Sequence, residues 1–264
     1  MTAEEPSFGA NPSFFDLIRG LGTQPLGSAS TSGGEPPSQL PPHGTTVVAL
    51  RFAEGVIMIG DRRAVEGYSI ADDRMEKVFP ADEHSVVGIA GVASQAIEMI
   101  RLFQTELEHY EKVEGEALSL EGKANRLAQM IRGAMPLVMQ GLVVVPIYGG
   151  YDTGRAEGRI FRYDAIGGRY EETDFNATGS GSRDAKASLK KRWRPGMTRQ
   201  EALEAAVEAL LDASEADTAT GGPDPVRGIY PSVHLVTSQG VDEVPAEEIR
   251  LAFEAVVARR EGSS

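Results

Sequence analysis

Cysteine is absent from this chain, so disulfides and thiolate metal sites are excluded and a reducing cytosol is the simplest home. Histidine is sparse: His43, His84, His109 and His234 lie far apart with no helical His-x-x-x-His pair, which argues against a metal centre. No apolar run is long enough to span a bilayer. The extreme N-terminus carries Glu4 and Glu5 where a secretory signal would carry Lys or Arg, and no apolar h-region follows. Positive charge is also in deficit. The formal net charge of −13 disfavours general nucleic-acid binding and favours solubility.

One stretch lacks almost every residue able to build a core. Residues 22–44 are dominated by Gly, Ser, Thr, Pro and Gln, a composition that cannot offset the entropy of ordering. Ahead of it only Phe14-Phe15-Asp16-Leu17-Ile18-Arg19-Gly20-Leu21 could form a short amphipathic turn that docks on a folded body. A disordered tail that stays attached is the plain reading of this composition. The sequence then changes abruptly at Gly44-Thr45-Thr46-Val47-Val48-Ala49-Leu50. If the chain is cut between Gly44 and Thr45, Thr45 carries a nucleophilic hydroxyl and a free α-amine base on one residue, a known way to activate a weak nucleophile.

From Thr45 onward, 45–52 and 56–60 read as two strands joined by a tight turn at Ala53-Glu54-Gly55. Val47 to Leu50 and Val56 to Ile59 are continuous apolar runs, which implies burial on both faces of a sheet. Further strands are predicted at 76–79, 85–90, 142–151, 158–163, 175–178, 232–237 and 241–244. Ala93, Ile97, Ile100, Phe103, Leu107 and Tyr110 recur at helical spacing. A second helix covers 120–135, with Leu120, Ala124, Leu127 and Ile131 inward and Pro136 disturbing its end. A third starts near Ser182. Thr198-Arg199-Gln200-Glu201 is a capping box opening a fourth, and Pro245 is placed as the first residue of a closing helix to about 260.

Helices arriving in pairs between doubly buried strands predict an α+β fold, a four-layer αββα sandwich of two stacked, mainly antiparallel sheets flanked by helices. An ordinary two-layer α+β domain is the runner-up. Antiparallel register about the first turn pairs residue 47 with 61, or one position off for a two-residue turn, and so returns Asp61 to the threonines. Asp61 could equally end its strand with a local turn bond.

Thr45-Thr46-Val47-Val48-Ala49, Gly60-Asp61-Arg62-Arg63-Ala64, Met75-Glu76-Lys77-Val78, Gly88-Ile89-Ala90-Gly91, Ala177-Thr178-Gly179-Ser180-Gly181-Ser182 and Asp217-Thr218-Ala219-Thr220-Gly221-Gly222 stand in a fixed order along the body. Together they resemble the β subunit of the 20S proteasome, an N-terminal threonine peptidase of the Ntn-hydrolase fold. The long leader, Gly221-Gly222-Pro223-Asp224 and the acidic composition resemble its actinobacterial form. The resemblance implies that residues 1–44 are a propeptide removed by autolysis at Gly44–Thr45, leaving 45–264 as the Ntn-hydrolase domain. It implies Thr45 as nucleophile, with Asp61 and Lys77 beside it and the Gly91 N–H in the oxyanion hole. Ser180 would stand near the amine and Asp217 in the supporting network. Thr220 occupies a position where many relatives have serine.

Ala64, Met75, Phe79, Ile89, Ala93 and Ile97 match the substrate side-chain pocket, and none is charged, so an apolar, chymotrypsin-like preference is expected. Each alone also reads as ordinary core. The implied setting is a cytoplasmic barrel: two stacked heptameric β rings, an α-subunit ring at each end, an ATPase ring regulator, and unfolded protein substrates, some tagged with a ubiquitin-like protein. No metal or organic cofactor is called for.

Two other functions fit the same fold, a noncatalytic ring-assembly subunit and an Ntn amidohydrolase acting on small amides. Gly179-Ser180-Gly181-Ser182 lacks the Gly-Lys-Ser/Thr ending of a phosphate loop. The basic cluster Lys186, Lys190, Lys191, Arg192 and Arg194 has only Trp193 as an aromatic companion and reads as a solvated helix face or subunit contact.

Overall fold

A computed structural model describes residues 44–66 and 69–262. The expected leader and the amphipathic turn at 14–21 lie outside the described residues.

The described residues open with a hairpin of β1 (Thr46–Phe52) and β2 (Gly55–Gly60), followed by a small separate pair, β3 (Ala64–Glu66) and β4 (Ser69–Asp72). Next come β5 (Val78–Asp82) and β6 (Ser85–Gly91), then α1 (Ala93–Glu114), α2 (Leu120–Gly133) and the short α3 (Met135–Val138). After these run β7 (Val144–Asp152), β8 (Glu157–Tyr163), β9 (Arg169–Glu172) and β10 (Phe175–Gly179). The remainder is α4 (Ser182–Arg192), α5 (Arg199–Ala216), the hairpin β11 (Ser232–Thr237) and β12 (Gly240–Glu243), and α6 (Ala246–Glu261). One antiparallel sheet has the order β10-β1-β2-β11-β12; a second has β5-β6-β7-β8-β9.

Alternation along the strands divides the apolar residues between layers. On β1 and β2, Val48, Leu50, Ile57 and Ile59 pack under α4, α5 and α6 with Ala206, Leu210 and Ala252. Their alternates Val47, Ala49, Val56 and Met58 meet Val86, Ile147 and Ile160 of the second sheet. On that sheet's far face Val87, Tyr148 and Phe161 pack against Phe103 of α1 and Leu127 of α2. The result is the expected αββα sandwich, and it explains why β1 and β2 read as unbroken apolar runs: each face meets a different core.

Local signals set the helix ends. At α5 the Thr198 hydroxyl accepts from the Glu201 N–H at 3.3 Å while the Glu201 carboxylate accepts from the Thr198 N–H at 2.9 Å. Pro136 falls in α3, just past the end of α2.

Several boundaries differ from the sequence reading. Ala53 and Glu54 alone make the first turn, so Val47 pairs with Gly60 and Asp61 lies one residue beyond the ladder. The strand expected from Glu76 begins at Val78. Pro245 is the N-cap of α6, one position earlier than expected, and Tyr110 of α1 is exposed because the buried stripe runs through Ala96, Ile100, Phe103 and Leu107.

Phe103 is fully buried and meets Tyr148 edge-on at 5.9 Å between ring centroids. Phe103→Ala is expected to lower stability by about 3–5 kcal/mol, read as a reduced denaturant midpoint with an unchanged slope.

Candidate active site

The β1–β2 register delivers Asp61 to the start of β1, where its N–H donates to the Thr46 carbonyl at 3.1 Å. Its carboxylate is fully buried and fully engaged. Oδ1 accepts from the Thr46 N–H at 2.8 Å and from Lys77 Nζ at 2.7 Å. Oδ2 accepts from the backbone N–H groups of Arg63 and Gly221, each at 2.9 Å.

Lys77, 1 % exposed, spends its three donors on Asp61, on the Arg63 carbonyl at 2.5 Å and on the Gly44 carbonyl at 3.4 Å. Burial pulls its ammonium below the ordinary 10.5, and the adjacent Asp61 charge acts against that fall. Thr45 is buried too, and its hydroxyl donates to the Gly44 carbonyl at 2.8 Å. The carbonyl preceding Thr45 therefore faces both the threonine hydroxyl and the lysine nitrogen.

A second network reaches Thr45 from β10 and the segment after α5. The Ser180 N–H donates to the Thr45 carbonyl at 2.9 Å. That approach needs glycine at 179: φ is +101°, and a Cβ there would sit 1.8 Å from the Thr45 carbonyl oxygen. The Ser180 and Thr220 hydroxyls both donate to Asp217 Oδ2, at 2.5 and 2.6 Å, while the Ala219 N–H donates to Oδ1 at 3.1 Å. Burial alone would raise the Asp217 carboxyl; these hydrogen bonds outweigh it and hold the group below its ordinary 3.8.

The structure thus brings together Gly44, Thr45, Asp61, Lys77, Ser180, Asp217 and Thr220. Gly91 stands on the second sheet at the β6–α1 junction, with φ +119° and a Cβ position only 2.0 Å from the Val143 carbonyl oxygen, so backbone geometry alone demands glycine there. Of the six apolar pocket candidates, Ile89 is buried on β6, and Phe79 and Ile97 pack on its cluster. Ala93 opens α1, Ala64 opens β3, and Met75 is fixed by its N–H to the Arg62 carbonyl at 3.0 Å; all three are half-buried.

Sequence reasoning passed over Thr46, Arg63, Gly181 and Gly221. Arg63 and Gly221 act through backbone N–H groups on Asp61, and Gly181 through its N–H on the Thr46 hydroxyl at 3.0 Å; such groups carry no residue-type signal, and Thr46 itself reads as part of the strand pattern. The basic cluster is partly neutralised, since Arg192 pairs with Glu208 at 2.9 Å and Arg194 with Glu201. Among the described residues, no group of three or more His, Asp or Glu side chains is placed to hold a metal ion, and no helix is long and apolar enough to cross a membrane.

Residues 42–226 match the family model described as "Proteasome subunit". The chain belongs to the proteasome subunit family. Two curated members named "Proteasome subunit beta" resemble it over most of their length. That of Acidimicrobium ferrooxidans is 58% identical over 222 residues, 83% of this chain and 81% of the relative. That of Stackebrandtia nassauensis is 54% identical over 223 residues, 83% of this chain and 80% of the relative. The chain is thus a proteasome β-type sequence on an αββα sandwich.

Two outcomes follow from the charges. Lys77→Met leaves Asp61 buried without its counter-ion, and a loss of about 3 kcal/mol is expected in denaturant unfolding, at the low end for broken buried pairs because three N–H donors remain. For Asp217 the folded pKa lies below the unfolded one, so the unfolded chain binds the extra proton between them. Its contribution is complete above pH 3.8 and is lost as pH falls through the folded value. Acid titration of stability should therefore be shallower below pH 4 in Asp217→Asn than in the parent.

Proposed function

We propose that this chain is a catalytic proteasome β subunit, a threonine endopeptidase whose nucleophile is the Thr45 hydroxyl. The observation that carries the reading is the shared carbonyl: Thr45 Oγ1 lies 2.8 Å and Lys77 Nζ 3.4 Å from the Gly44 oxygen.

In maturation Oγ1 bonds to the Gly44 carbonyl carbon, the Gly44–Thr45 C–N bond breaks, and the Thr45 nitrogen takes a proton. Water then hydrolyses the ester, releasing residues 1–44 with a Gly44 carboxylate. The freed α-amine, with an ordinary pKa of about 7.7–8, accepts the hydroxyl proton near neutral pH. Lys77, ammonium beside Asp61, favours the developing alkoxide. A peptide carbonyl attacked by Oγ1 becomes a tetrahedral oxyanion, for which the Gly91 N–H serves as donor, a role of about 3–4 kcal/mol in comparable sites. Collapse expels the amine product, and water clears the acyl-enzyme. Ser180, Asp217 and Thr220 order the amine side of the site.

The uncharged set Ala64, Met75, Phe79, Ile89, Ala93 and Ile97 supports an apolar preference for the side chain preceding the cut. The family supports a stacked-ring core with α subunits, fed with unfolded protein by an ATPase ring in the cytoplasm. Sequencing of the mature N-terminus is expected to begin at Thr45. Thr45→Ala should keep its leader and lose peptidase activity; a Thr45→Ala chain that still matures and cleaves peptides would remove the proposed nucleophile.

A further inference from the structure

Thr46 has every polar group engaged, although it is fully buried. Its N–H and C=O both bind Asp61, at 2.8 and 3.1 Å. Its hydroxyl oxygen lies 3.0 Å from the donating Gly181 N–H and 2.7 Å from Thr220 Oγ1.

Proton count sets the direction of that last bond. Each hydroxyl has one proton. Asp217 lies below its ordinary pKa and is ionised near neutral pH, so it can only accept, and the Thr220 proton is committed to its Oδ2 at 2.6 Å. Thr220 Oγ1 must then accept from Thr46 Oγ1. The chain runs one way: Gly181 N–H to Thr46 hydroxyl to Thr220 hydroxyl to the Asp217 carboxylate. Its meeting point is tight, since a Cβ on Gly181 would fall 2.7 Å from Thr46 Oγ1 and 2.8 Å from Thr220 Oγ1.

We infer that Thr46 is a positioning residue, whose hydroxyl joins the Asp217–Thr220 network to the Asp61–Lys77 pair and thereby fixes the backbone from which the Thr45 nucleophile projects. This rests on the proposed role of Thr45. Once the leader has gone, no chain precedes Thr45, and its place is set by its own carbonyl bond to the Ser180 N–H and by the anchors on Thr46. The backbone bonds to Asp61 hold Thr46 from one side; on the other it lies opposite Gly179 in the β1–β10 ladder, and its hydroxyl is the polar group that reaches across to Gly181 and Thr220. Valine has threonine's shape but gives Gly181 no acceptor and Thr220 no donor, so the anchor loosens while the pocket for the substrate side chain is untouched.

The test compares Thr46→Val and Thr46→Ser with the parent, each as the full-length chain in its native assembly. Turnover of an apolar peptide is normalised to Thr45 labelled by a hydroxyl-directed electrophile. Thr46→Val is expected to lose about tenfold or more in kcat per labelled site with KM within about twofold, and Thr46→Ser to recover at least about half of the parent kcat. A merely structural threonine would reduce the labelled fraction and leave kcat per labelled site unchanged, and that result overturns the inference; so does equal loss in the valine and serine variants. If Thr46→Val yields no folded assembly, Thr46→Ala takes its place, which removes the hydroxyl without pressing a methyl on Gly181 and Thr220; a fall in kcat per labelled site supports the inference and a parental value overturns it. Labelling of Thr45 in the parent, absent in Thr45→Ala, tests the nucleophile separately.

Discussion

The buried ion pair of Lys77 and Asp61 is the interaction around which the site is built. Stripping water from two opposite charges costs several kcal/mol per ion, and Coulomb attraction alone does not reliably return it. Here the compensation is complete hydrogen bonding: four donors on the carboxylate, three acceptors on the ammonium. Those partners come from the start of β1, the turn after β2, the entry to β5 and the segment after α5. The pair therefore cannot be satisfied unless four distant segments converge, and convergence is what places Gly44 and Thr45 against Lys77.

The sandwich makes that convergence possible. The central strands of each sheet are buried on both faces, so they leave polar groups unpaired chiefly at their ends, and the start of β1, the end of β2, the end of β10 and the start of β11 all lie at one edge of their sheet. A strand also separates its bonding directions. The Thr46 backbone bonds in the plane of the sheet to Asp61, whereas its side chain leaves the plane toward Gly181 and Thr220. Two polar networks of different character, one ionic and one of hydroxyls ending on a carboxylate, thus reach adjacent residues without competing for the same atoms.

Much of this was legible in the residues. The apolar runs of β1 and β2 announced double burial, the Thr198 capping box fixed a helix start, and hairpin counting returned Asp61 to the threonines, one position off because the turn holds two residues. Other elements left no trace. Edge strand β9 is Arg-Tyr-Glu-Glu, with no buried face to impose alternation, and β3 and β4 are a short pair beside the core. Lys77 was placed by motif resemblance, since no periodicity points from β5 to Asp61. The N–H donors of Arg63 and Gly221 could not be read at all, because any residue but proline supplies them.

Glycine at 44 shows how packing and chemistry converge on one residue. An unhindered carbonyl is reason enough for glycine at the proposed scissile bond. The structure adds an independent demand: a Cβ on Gly44 would lie 1.9 Å from the Ala219 Cβ, inside any tolerable contact. Ala219 belongs to the segment that also carries Asp217, Thr220 and Gly221, so it cannot retreat without disturbing hydrogen bonds to Ser180 and Asp61. A side chain at 44 would instead displace the Gly44 carbonyl from Lys77 Nζ and Thr45 Oγ1. The wall that excludes the side chain thus belongs to the same segment that supplies the second network, which ties the geometry of the Gly44–Thr45 bond to the site that faces it.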